Sequence, residues 1–113
     1  MDYETARRLL IDQSSEANPS SDAFLGRLQQ GQPPIPGQVT SILLSLKVIF
    51  EALKGEKVLD RDLSYALYLI SNEGRRLFEA RLKQQSDCPP LLNEDLDRIS
   101  AAVKSIFSSV WQG

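Results

Sequence analysis

The chain has 113 residues, 42% apolar and 25% charged, a globular balance that fits one domain over residues 1–113 burying about 65% of its unfolded surface. It contains no histidine and one cysteine, which removes Ser-His-Asp and Cys-His nucleophiles, histidine-held metals and multi-cysteine zinc or iron–sulfur sites. Thirteen basic and fifteen acidic side chains leave a net charge of −2, with no global attraction for nucleic acid or an anionic membrane.

The N-terminal stretch MDYETARRLLIDQ has charges where a signal peptide needs an unbroken apolar run, and reads instead as a helix from about Asp2 to Gln13. Asp2 can cap it, and Tyr3, Ala6, Leu9, Leu10 and Gln13 recur at helical spacing. Residues 14–20 are loop-like in composition, after which Ser21 is placed to cap a short helix, Asp22 to Gln30. Its apolar face is Phe24, Leu25 and Leu28, and Gly31 is placed to end it in a left-handed conformation.

Prolines 33, 34 and 36 make a stiff connector, with Pro36 suited to the first position of the following helix. A proline-rich segment can also serve as a ligand for aromatic grooves. The helix from Pro36 to Lys54 is the most hydrophobic element, with Ala, Val, Ile, Leu or Phe at ten of the fifteen positions 39–53. Val39, Ile42, Leu43, Leu46, Ile49, Phe50 and Leu53 form a broad stripe that Leu44, Val48 and Ala52 widen toward a second face. Such a helix is covered on more than one side, at the centre of a bundle or at a subunit interface.

Gly55 stops that helix, and Asp60 caps the longest one, Arg61 to about Gln85. Its core stripe reads Leu63, Ala66, Leu67, Ile70, Gly74, Leu77, Phe78 and Leu82. A mid-helix glycine costs about 1 kcal/mol against alanine, so Gly74 implies a close helix–helix approach. After a loop containing Cys88, Asn93 is placed to cap the last helix, where Leu96, Ile99, Val103, Ile106 and Val110 step by three and four. No segment alternates as a strand would. The reading is all-α, a compact bundle of four to five helices whose short connections make neighbours antiparallel.

Tyr65, Tyr68, Asn72, Arg75 and Glu79 line one side of the long helix away from its core stripe, with Arg76 flanking them. Tyrosine and arginine are the residue types that interfaces favour, so this line is the candidate partner-binding face. The competing explanation is structural: tyrosines packed on the first helices, and arginines paired with Glu73 and Glu79. Arg7-Arg8 and Arg75-Arg76 could hold phosphate, but each pair sits among acids and no glycine-rich loop opens a helix beside them. Asp60, Asp62, Glu94, Asp95 and Asp97 lie at helix starts, where caps and dipole complements are expected, so no metal or cofactor is assigned. Cys88 has no basic cluster nearby in sequence to activate it and reads as an inert thiol. Trp111 is either a lid on the bundle or an anchor for a partner.

Two strings, PPIPGQVTSILLSLKVIFEALKGEKVLDRDLSYALYLISNEGRRLFEARL and the later CPPLLNEDLDRI, carry a resemblance over about residues 33 to 110. The chain resembles a group of small cyanobacterial all-helical proteins of unassigned function, some of them labelled dethiobiotin synthetase. Such a synthetase uses a P-loop on a parallel sheet, and this sequence carries neither the loop nor strands. The resemblance implies a cytoplasmic, photosynthesis-associated setting and brings no catalytic residue with it.

The functional expectation is a non-catalytic protein-binding module, an adaptor, assembly factor or regulator in the cytoplasm, that recognises another protein through Tyr65, Tyr68, Asn72, Arg75, Arg76 and Glu79. A nucleic-acid-binding helical domain using the arginine pairs is the alternative. If Leu44 and Val48 are uncovered in the monomer, a homodimer would bury them.

Overall fold

A computed structural model describes residues 1–15, 22–86 and 88–112. Among these, five helices and no strand are found: α1 (Tyr3–Gln13), α2 (Phe24–Gln29), α3 (Gln38–Leu53), α4 (61–82) and α5 (Leu92–Ser108). The all-α bundle is therefore what the apolar periodicity predicts. The Cα radius of gyration is 13.5 Å, against about 13 Å for a compact chain of this length.

Most helix ends follow their local chemistry. Asp2 caps α1 by accepting from the Thr5 N–H at 2.8 Å, and Asp60 caps α4 by accepting from the Leu63 N–H at 3.2 Å. The expected cap at Ser21 lies outside the described residues. α2 begins two residues later than expected, and Gln13 at the end of α1 takes the capping role, its Oε1 accepting from the Phe24 N–H at 2.7 Å. Gly31 (φ +72°) closes α2 with a Schellman pair, Gln32 N–H to Arg27 carbonyl and Gly31 N–H to Leu28 carbonyl.

Three further expected boundaries need correction. α3 starts at Gln38 rather than Pro36, because Gly37 adopts a left-handed φ of +86° that breaks helical continuity. α4 ends at Leu82, three residues before Gln85, with the Gln85 N–H already turned onto the Leu82 carbonyl. Asn93 does not cap α5, which is under way by Leu92, and its side chain is used by Arg75 instead. Val110 accordingly falls beyond the helix and is exposed.

α1, α3, α5 and α4 form a ring in that order, with α2 packed on the second half of α4. Ala6, Leu10, Ile42, Leu46, Leu67, Ile70, Leu96 and Ile99 point into the shared core with Phe24, Leu25 and Leu28 of α2. Gly74 allows the expected close approach: a Cβ there would lie 3.3 Å from Phe24 Cε2. α3 is thus one wall of the ring rather than its centre, flanked by α1 and α5, and its remaining side faces outward.

The expected antiparallel order holds for α1 and α3, where Gln13 at one end meets Gln38 at the other's start. α3 and α5 are not consecutive, and their ends pair in the opposite sense. Val39 and Thr40 of α3 share a depression with Leu92 and Asp95 of α5, while Gly55 N–H meets Ser109 Oγ and Phe50 meets Trp111 at the opposite end. These two walls run parallel, because the whole of α4 intervenes and returns the chain to its starting end.

Residues 69–73 and 78–82 of α4 form two wide turns, closed by i→i+5 hydrogen bonds from the Gly74 N–H to Leu69 and from the Lys83 N–H to Phe78. The buried positions Ile70, Gly74, Phe78 and Leu82 recur every fourth residue. On a regular helix each such step overshoots a full turn by about 40°. Wide turns absorb that drift and keep all four residues inward.

Candidate functional site

The sequence-derived face on α4 divides into two unequal halves. Tyr65 is 62% exposed and Tyr68 50% exposed, so both rings stand half or more in solvent. Their rings stack on one another with centroids 6.5 Å apart and planes 12° from parallel. Asn72 Nδ2 donates to the Tyr68 hydroxyl at 3.2 Å, which orients the second ring. This half is an outward aromatic ledge, large in contact area and polar at its edge.

The arginine half is structural. Arg75 donates to Asn93 Oδ1 and Asp97 Oδ1, both at 2.6 Å, and to the Asn93 carbonyl at 3.2 Å. It also approaches Glu79 at 3.5 Å, and its guanidinium carbon lies 5.5 Å from the Phe78 ring centroid. It is a bolt between α4 and the first turns of α5. Arg76 Nε and Nη2 donate to Glu73 Oε2 at 2.9 and 2.7 Å, and that pairing holds the Glu73 carboxyl below the usual carboxylate range. Glu79 accepts from Lys83 Nζ at 3.0 Å. The six expected residues lie together, but Arg75, Arg76 and Glu79 are engaged in ion pairs, which leaves Tyr65, Tyr68 and Asn72 as the outward contact surface.

The other arginine pair behaves similarly. Arg7 has Glu4 and Asp12 close by in sequence, yet its Nε donates to Asp60 Oδ2 at 2.7 Å, joining α1 to α4. That hydrogen bond raises the Arg7 pKa and lowers that of Asp60. With Arg7, Arg75 and Arg76 each holding an acid, the arginine pairs are poorly placed to hold phosphate. Among the described residues no three acidic or cysteine side chains converge as metal ligands, and no helix is long and apolar enough to cross a membrane. Cys88 is half-buried against the core, its thiol 3.7 Å from the Pro89 carbonyl.

Trp111 folds back as a lid. Its ring lies 5.2 Å from the Phe50 ring centroid at 58°, Lys47 Nζ sits 3.9 Å from its own centroid, and it stays 39% exposed. Beside it, between the parallel walls α3 and α5, runs an outward groove of about 410 Å³ lined by Thr40, Leu43, Leu44, Lys47, Arg98, Ala101, Ala102 and Trp111. Leu44 is 58% exposed there, whereas Val48 packs against the core, so only the first of the two side chains weighed for self-association is open. The over-wide stripe of α3 signals this surface, but its pairing with α5 has no sequence signal.

Comparison with family models, curated proteins and solved structures returns no match.

Proposed function

We propose that this chain is a non-catalytic protein-binding module, an adaptor, assembly factor or regulator in the cytoplasm, whose contact surface is the tyrosine ledge of α4. One observation carries this reading: two tyrosines one turn apart stand half or more exposed, their rings nearly parallel, with the second held by Asn72. A pre-stacked pair loses little side-chain freedom on docking and offers the residue type that dominates interface energetics. Polar residues capable of chemistry already have mechanical tasks: Asp60 caps α4 and pairs with Arg7, and Asp97 anchors Arg75.

The test is to replace Tyr65 and Tyr68 together by alanine, leaving the Arg75 bolt intact, and to compare partner recovery with the unaltered chain in its native host. Loss of at least about tenfold of a recovered protein, with the helical circular dichroism unchanged, is the expected result. Equal recovery by a folded double variant would reject the ledge.

A further inference from the structure

The connector before α3 has the build of a ligand. Residues 33–36 read Pro-Pro-Ile-Pro, so Gln32, Pro33 and Ile35 each precede a proline and are biased to extended backbone. Gly37, at φ +86° and ψ −12°, and a 2.9 Å bond from the Gln38 N–H to the Ile35 carbonyl close a type II turn. Its first central position holds Pro36 near polyproline II geometry. Arg27 Nε donates to the Pro33 carbonyl at 2.7 Å, and the Ile35 N–H donates to Gln38 Oε1 at 3.1 Å, so both ends of the segment are held. Between these tethers the Pro34 carbonyl accepts no hydrogen bond from the described residues, and Ile35 and Pro36 are exposed. Such a segment offers apolar rings and a free carbonyl, with no N–H at 33, 34 or 36.

The tyrosine ledge offers the complement. Two exposed rings lie nearly parallel, and among the described residues neither Tyr65 nor Tyr68 donates its O–H, the Tyr68 oxygen only accepting from Asn72. Aromatic surface edged by donors suits a proline-rich segment, whose rings pack on the aromatics while its carbonyls take the hydroxyl protons. The two features cannot meet within one chain. The segment leads into α3, the ledge faces outward from α4, and these helices are opposite walls of the ring.

We propose, on the reading of the ledge as the chain's contact surface, that the ledge of one copy docks the Pro33–Pro36 segment of a second copy. Each contact joins two different patches, so every pair leaves one ledge and one segment unfilled and association is head to tail and open-ended. The contact is small, which makes it weak and concentration-dependent.

Sedimentation of the full chain tests this. The weight-average mass is expected to climb without a plateau and to pass about twice that of one chain by about 1 mM. Tyr65→Ala with Tyr68→Ala, and separately Pro34→Ala with Pro36→Ala, should each stay monomeric. Mixed in equal amounts they should pair, because one keeps the segment and the other the ledge, and the mass should stop at two chains. Circular dichroism checks that both variants fold; should the double proline variant lose its helices, Pro36→Ala alone, at an exposed position, takes its place. A wild-type chain monomeric at that concentration, association that survives in the tyrosine variant, or a mixture that stays monomeric would overturn the proposal. Partner recovery from the native host keeps its failure distinct from failure of the ledge. A protein lost by the tyrosine variant but retained by the proline variant, beside a monomeric wild type, would uphold the ledge and reject the second copy.

Discussion

Asp60 performs two tasks at one carboxylate, accepting from Arg7 Nε at 2.7 Å and from the Leu63 N–H at 3.2 Å. The Arg7 hydrogen bond, supported by that helical N–H, holds its pKa below the ordinary 3.8. The folded state therefore binds the proton less readily than the unfolded chain. The resulting stabilisation is complete above the ordinary value and disappears as pH falls through the lowered one, below about pH 4. Asp2 at the start of α1 and Glu73 beside Arg76 shift in the same direction. Urea unfolding across the acid range should show Asp60→Asn, which keeps a capping side chain, losing part of the wild-type acid slope. An identical slope in that variant would disprove the assignment.

Gly74 poses the opposite question, of space rather than charge. Alanine would gain about 1 kcal/mol of helix propensity. Its Cβ, however, would press to 3.3 Å on Phe24 Cε2, a ring with no exposed surface. Overpacking of a filled core costs about 1–3 kcal/mol, so the steric term wins and Gly74→Ala should lose about 1 kcal/mol net. Placed in a Phe24→Leu background, the same alanine should cost nothing or stabilise. Equal effects in both backgrounds, read from denaturation midpoints, would show that the two residues do not meet.

At the element scale, α4 illustrates what the sequence made legible. Every residue of its expected core stripe, from Leu63 to Leu82, is buried, because periodic apolar patterning directly reports which face turns inward. The wide turns at 69–73 and 78–82 lie outside what regular helical periodicity expects, although the strict step of four at Ile70, Gly74, Phe78 and Leu82 is a signal for them. Each wide turn accommodates one residue more than a regular helix needs. Deleting Asn72, which lies inside the first, should therefore leave both flanking segments in place and yield a cooperative unfolding transition. Deleting Tyr65 from the regular segment Arg61–Tyr68 removes about 100° of rotation and should abolish that transition. If both deletions behaved alike, the wide turn would not be buffering the register.

Across the whole molecule, the legible and illegible parts separate by sequence distance. Tyr65 and Tyr68 could be placed together because a helix fixes neighbours three and four apart. The Arg75 bolt to Asp97 spans 22 positions, and no local pattern reports it. The parallel pairing of α3 with α5 is of the same kind, and Trp111 helps to fasten it. Below the two walls, the Gly55 N–H meets Ser109 Oγ, the Gln112 N–H meets Ser105 Oγ, and Trp111 lies across Phe50 under Lys47. A tryptophan three-fifths covered, with a cation over its ring, is worth about 2–3 kcal/mol. Trp111→Ala should lose that amount, and hydrogen exchange should quicken first in the last turns of α3 and α5 while α1 and α2 keep their protection. Such a pattern follows only if the tail ties these two walls together; uniform loss of protection would mean that Trp111 stabilises the core as a whole.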